Sequence, residues 1–197
     1  MITQLATVKA RLAIDVFDVK YDDLLTNAIK AVGTRFEKIC NRTFARTVSA
    51  LHEFEPCETE LVPACYPIES VSKFELKSTE AEGWIEQTGV DYVIRHGCVI
   101  SLSQDLSLET SDLRLALARV TYTGGYVLPG TTPGAGQTAL PDDLEQAAVE
   151  QVASWFLNRD KSGLIRRWPK GGIYEQFVQT ELLPAVTEVL KGYVRVG

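Results

Sequence analysis

His96 and Cys98 are the closest pair in this 197-residue chain whose types could supply a base and a nucleophile. In an alternating strand, residues two apart face the same side, so a Cys-His dyad is geometrically conceivable. Gly97 between them places both at a hairpin tip, where a polar turn residue is the simpler account. The other histidine, His52, falls inside an alternating stretch and reads as a half-buried or surface strand residue. Glu53, Glu55, Glu58 and Glu60 crowd around Cys57. Paired carboxylates can do acid-base or metal chemistry, but four around a strand end more simply form a solvated edge that discourages pairing with another sheet. The cysteines at 40, 57, 65 and 98 match no zinc-ribbon or finger spacing and read as free thiols. Gly134-Ala135-Gly136 lacks the Lys-Ser/Thr of a phosphate-binding loop. No catalytic residue, metal or cofactor is expected, and the chain reads as a non-enzyme.

Two stretches carry interaction chemistry instead. Lys161, Arg166, Arg167 and Lys170, preceded by Arg159 and interleaved with Trp168, could contact DNA phosphates, with an aromatic to stack. An acidic protein surface would suit the same residues, and cations that close a helix C-terminus are the structural alternative. The chain ends in Tyr193-Val194-Arg195-Val196, whose alternation fits either a frayed terminus or an extended arm that adds to a partner's sheet edge.

These residues hang on elements that the hydrophobic periodicity outlines. Thr3 is placed to cap a short helix with Leu5, Val8 and Leu12 on one face, ending before Asp15 to Asp18. Asp22 or Asp23 opens a second helix in which Leu25, Ile29, Val32, Phe36 and Ile39 recur at steps of three and four, with Lys30, Arg35 and Lys38 left to solvent. From Thr43 the period becomes two. Strands are expected over 46–54, 68–76 and 113–122, with a hairpin from Tyr92 to Ile100 turning at His96-Gly97. Residues 127–139, rich in Gly, Thr and Pro, read as a flexible loop. Pro141-Asp142-Asp143 starts a helix near 141–160 carrying Leu144, Ala148, Val152 and Trp155 on one face. Tyr174, Phe177 and Val178 suggest a further helical turn, and Pro184 a last short helix with Val186, Val189 and Leu190.

The predicted fold is therefore α+β. A helical core (1–42 and 140–192) built on Leu25, Ile29, Val32, Phe36, Leu144, Val152 and Trp155 carries an inserted small antiparallel β domain (43–126), followed by the loop 127–139 and an arm at 193–197. The composition, 45% hydrophobic and 23% charged, suits a soluble globular protein. No apolar run approaches the roughly 18–20 residues of a membrane span, and the N-terminus lacks a secretory pattern, so folding in the cytosol is expected. The net charge of −6 is segregated: residues 1–50 hold eight Lys/Arg against five Asp/Glu, residues 51–120 five against thirteen. Different surfaces thus face different partners.

Four stretches in order give the chain a family likeness. They are Met1-Ile2-Thr3 with Val8-Lys9-Ala10-Arg11-Leu12-Ala13-Ile14-Asp15, then Asp22-Asp23-Leu24-Leu25, then Val120-Thr121-Tyr122-Thr123-Gly124-Gly125-Tyr126, and Leu140-Pro141-Asp142-Asp143-Leu144 running to Trp155-Phe156-Leu157-Asn158-Arg159. With these the chain resembles the head-to-tail connector (adaptor, or head-completion) proteins of long-tailed phages and gene transfer agents, in their longer form with a β insertion. The resemblance implies a structural virion protein at the neck, assembled in the host cytoplasm. It implies a homo-oligomeric ring, commonly a dodecamer, between the portal and the stopper or tail-completion protein, with packaged DNA passing through its channel and no membrane. It further implies that Tyr193, Val194, Arg195 and Val196 form a portal-binding arm. Another neck or tail-completion protein, or a DNA-binding module using Lys161 to Lys170, are the alternatives.

Overall fold

The computed structural model describes residues 1–106, 116–159, 166–167, 175–176 and 182–195. Its chain divides into two units, one of residues 1–40 with 141–194, the other of residues 41–140 with 195–197. The first is helical and the second is built of antiparallel sheets, an α+β fold.

The helical unit contains α1 (Leu5–Arg11), α2 (Asp22–Cys40), α3 (Asp142–Leu157) and α4 (Pro184–Lys191). Leu25, Ile29, Val32, Phe36 and Cys40 are all fully buried along α2, and Leu144, Ala148 and Val152 along α3, with Val8, Val186 and Leu190 completing the core. The buried stripe of α2 ends on Cys40 rather than Ile39, which is 43% exposed. Four residues beyond Phe36 keep Cys40 on the same face, whereas Ile39 has rotated off it. Arg35 and Trp155 are half-buried, as are Leu5 and Leu12. Asn41, at φ 50°, follows α2 in the left-handed conformation that terminates many helices.

Thr3 does not cap α1; Gln4 holds that position. Thr3 is instead fully buried and donates through Oγ1 to Glu145 Oε1 at 3.0 Å, tying the entry of α1 to the first turn of α3. Gln151, also buried, accepts the Leu183 N–H through Oε1 at 2.8 Å just before α4. Each buried polar side chain here holds one helix terminus against another helix.

The β unit has β1 (Thr47–Phe54), β2 (Glu60–Leu61), β3 (Ile68–Lys77), β4 (Ile85–Gln87), β5 (Tyr92–Arg95), β6 (Val99–Leu102), β7 (Leu117–Gly124), β8 (Tyr126–Val127) and β9 (Thr138–Ala139). One sheet runs β1-β7-β3-β4 and another β2-β6-β5, both antiparallel. In the larger sheet Phe54, Ala118 and Leu76 stand in cross-strand register, as do His52, Val120 and Phe74. Their alternation gives a core of Phe54, Phe74, Leu76, Ala118, Val120 and Tyr122 shared with Leu61, Ile100 and Leu102 of the smaller sheet. On the opposite face Glu75 lies between Lys73 Nζ (2.9 Å) and Arg119 Nε (2.7 Å). Arg119's hydrogen bond, followed by Lys73's, holds its carboxyl below the ordinary range against the opposing effect of burial.

The stretch expected to be a flexible loop is fastened at its base. β8 and β9 pair in parallel, Leu140 N–H reaches Val127 O at 3.0 Å, and the Gln137 amide oxygen accepts the Gly134 N–H at 2.9 Å. The turn near Tyr174–Val178 was expected to be helical, yet Glu175–Gln176 forms a strand, β11, antiparallel to β10 (Arg166–Arg167). Tyr174, Phe177 and Val178 lie outside the described residues.

Gly124 and Gly125 mark the tightest point. A Cβ on Gly124 would lie 2.5 Å from Cys65 O and 2.9 Å from Pro67 O, and one on Gly125 (φ 100°) 2.7 Å from Ala45 O and 2.8 Å from Cys65 Sγ. Three segments cross here, with Gly125 N–H bonded to Pro67 O, Tyr126 N–H to Phe44 O and Arg46 N–H to Tyr126 O, all at 2.8 Å. Gly125→Ala should therefore lower the unfolding free energy by about 3 kcal/mol. Gly136→Ala, at φ 76° in open space, should cost about 1–2 kcal/mol. Urea titration compares the two, and equal losses would contradict the crossing as the cause.

Candidate functional site

The residues whose types could do chemistry lie in the β unit. His96 (φ 52°) and Gly97 (φ 68°) turn the chain between β5 and β6, Cys98 N–H bonds Arg95 O at 3.1 Å, and Gly97 O accepts the Ile68 N–H at 2.7 Å. Glu53, Glu55, Glu58 and Glu60 are exposed, Glu60 pairing with Arg95 at 3.3 Å. Among the described residues no group of three His, Cys, Asp or Glu could hold a metal ion, and no helix is long and apolar enough to cross a membrane.

His52 is half-buried on the core side of β1, stacked on Phe54 with centroids 6.3 Å apart. Burial, and secondly the charge of Arg195, hold its pKa below the ordinary imidazole value. Arg195 itself belongs to the β unit, where its Nη1 donates to Val62 O at 3.3 Å. Nearby, Tyr122 Oη accepts the Cys65 N–H at 3.0 Å, and burial pushes its phenol up to about 12.

The C-terminal residues thus make contacts within the chain. Tyr193 Oη donates to Asp143 Oδ1 at 2.6 Å, Val194 is 41% exposed, and Val196 lies outside the described residues. Of the basic cluster, Lys161 and Lys170 also lie outside them, and Arg166 and Arg167 are placed by backbone alone, in β10. Arg159, just after α3, sits over the rings of Phe156 (4.3 Å) and Tyr21 (5.5 Å), a cation-π arrangement at the end of that helix.

A feature not anticipated from sequence lies between α1 and α2. Lys9, 2% exposed, donates from Nζ to Val16 O (3.0 Å) and Asp18 O (2.9 Å) and pairs with Asp22 Oδ1 at 2.5 Å. Two backbone carbonyls and the Asp22 carboxylate surround and compensate the buried charge. Asp15 Oδ1 accepts the Phe17 N–H at 2.8 Å and Asp18 Oδ1 the Lys20 N–H at 3.0 Å, so each aspartate shapes its own turn. The backbone so fixed leaves Val16, Phe17 and Val19 57%, 88% and 72% exposed. Helical spacing gave no sign of this, because a lysine beside Val8 reads as a surface residue until its acceptors are known.

No known family profile matches the sequence, and no curated protein is similar to it. Structure comparison finds more. A chain from the neck of an empty gene transfer agent (GTA) particle, solved with C6 symmetry, matches 98% of this chain and 89% of its own length, with TM-score 0.57 and 14% identity. The chain is similar in fold to that neck chain. A chain from the neck of a native GTA particle, solved with C12 symmetry, matches 98% of this chain and 88% of its own, with TM-score 0.52 and 16% identity.

Two features of the chain are open to direct measurement. Lys9→Met keeps the apolar stem but removes the cation from two carbonyls and a carboxylate, and should lower stability by about 2–3 kcal/mol in thermal unfolding. A loss near zero would contradict the clamp. For His52, a depressed folded pKa means that the unfolded chain takes up the proton first. Its contribution is complete above about pH 6.5 and declines as the pH falls below it. His52→Gln should flatten the fall in stability between about pH 6.5 and 5.5; an unchanged slope would show that His52 is not its source.

Proposed function

We propose that the protein is a structural component of a phage-like particle, an adaptor ring at the neck between the portal and the stopper or tail. The observation that carries this reading is the end-to-end likeness of fold to neck chains solved with six- and twelvefold symmetry. Both units of the chain take part, since 98% of it is matched. The order of the sequence stretches in the connector resemblance supports the same reading independently. A dodecamer would multiply the net charge of −6, and acids lining a channel would repel DNA phosphates and let the duplex pass.

In this reading the portal-binding arm is Tyr193 to Val196. To reach a portal, the segment exchanges the Tyr193–Asp143 and Arg195–Val62 hydrogen bonds for bonds to its partner. The protein assembles in the host cytoplasm and ends in the virion neck, and the reading assigns it no catalysis.

Electron microscopy of the purified chain mixed with the portal protein of the same particle tests this. The expected result is one added ring, coaxial with the portal, with occupancy reduced when residues 193–197 are deleted. Chains that ignore the portal and bind purified tails would overturn the adaptor reading in favour of tail completion. Unchanged occupancy after the deletion would remove the arm.

A further inference from the structure

The turn between α1 and α2 is built to hold apolar side chains in water. Isolated exposed apolar residues are ordinary, but here three of four consecutive residues, Val16, Phe17 and Val19, are presented by a backbone clamped from beneath by Lys9. Phe17 is 88% exposed and flanked by Asp15 and Asp18, both also exposed. The result is a rigid apolar knob with acidic shoulders.

The outward face of α2 has the opposite character. Opposite the buried stripe of Leu25, Ile29, Val32 and Phe36, it presents Lys30, Ala31, Thr34 and Lys38 to solvent. At the helical repeat these four cluster on one face, and the short side chains of Ala31 and Thr34 share it with the two lysines.

We infer that the Phe17 knob of one copy docks on the Lys30–Lys38 face of α2 in a second copy of this chain. This deepens the ring reading and rests on it. Charge decides the occupant: two aspartates flank the aromatic, and two lysines stand on the helix face it meets. Two different patches of the same chain meet, a heterologous contact, and repetition of such a contact closes a ring when its rotation divides the circle. Phe17 is the desolvated aromatic anchor, and the charges set register at its rim. The pre-shaped turn means that little ordering is needed on docking.

Cysteine trapping on the full chain, assembled with portal protein, tests the contact. In a Cys57→Ser background, which removes an exposed native thiol, the double variant Phe17→Cys/Thr34→Cys should on oxidation give a ladder of disulfide-linked chains up to the full ring. Phe17→Cys alone should give none. Lys30→Glu/Lys38→Glu, two exposed changes that leave the core untouched, should lower ring occupancy about tenfold at fixed concentration while circular dichroism stays native. Rings that form without a ladder and tolerate the charge reversal would overturn this contact and leave the ring reading intact. A disulfide from Phe17→Cys to the portal would assign the knob to that partner instead. Wild-type chain that forms no ring on the portal would contradict the ring reading, and this contact with it.

Discussion

The backbone crossing at Gly124-Gly125 is the constraint on which the β unit depends. There the end of β7 passes between the segment around Ala45 and that around Cys65 and Pro67, at separations that no Cβ would permit. The Cys65 Sγ lies 3.3 Å from Ala45 O and 3.1 Å from Gly124 O, both within reach of its single S–H, so even this side chain serves the crossing. Arg42, 4% exposed, lies beside it. Its guanidinium stacks 3.3 Å from the Tyr66 ring centroid and within about 5 Å of Phe44 and Tyr126, and its Nη2 donates to the Tyr66 carbonyl. The cation fills the space where the strands converge, with aromatic faces in place of water. Because β7 pairs with both β1 and β3, the position of this crossing sets the register of three of the sheet's four strands.

The helical unit is organised by a different device, buried polar groups that join one terminus to another. Lys9 holds the turn before α2, Thr3 ties the start of α1 to α3, and Gln151 receives the backbone ahead of α4. Arg11 and Glu150 add a bidentate pair at 2.9 and 3.0 Å, and the hydrogen bond from Arg11 holds the Glu150 carboxyl below its ordinary range. Apolar stripes alone would let short helices slide, whereas each of these bonds is satisfied at one axial position.

The core of each unit was legible in the sequence because it depends on period. Leu25, Ile29, Val32 and Phe36 at steps of three and four, and the alternation through His52, Phe54, Val120 and Tyr122, identify the buried faces directly. The errors have a common cause in contacts distant along the chain. Thr3 reads as a cap until Glu145, 142 residues away, takes its hydroxyl. The loop 127–139 reads as free until β8 and β9 pair across it. The burial of Lys9 has no sequence signal, because two of its partners are backbone carbonyls, which carry no side-chain signature. Of the candidate interaction residues, Tyr193 and Arg195 were visible as an alternating tail, but not their hydrogen bonds to Asp143 and Val62.

Of the two candidate chemical centres, His96 and Cys98 flank Gly97 at the turn between β5 and β6, and the glutamates around Cys57 are exposed. The most direct measurement is a cryo-electron reconstruction of the neck of the particle produced alongside this chain, made without imposed symmetry. The account predicts a closed ring of this chain around the DNA axis, adjoining the portal. A neck fully accounted for by other proteins, with this chain absent from the particle or confined to the distal tail, would contradict it.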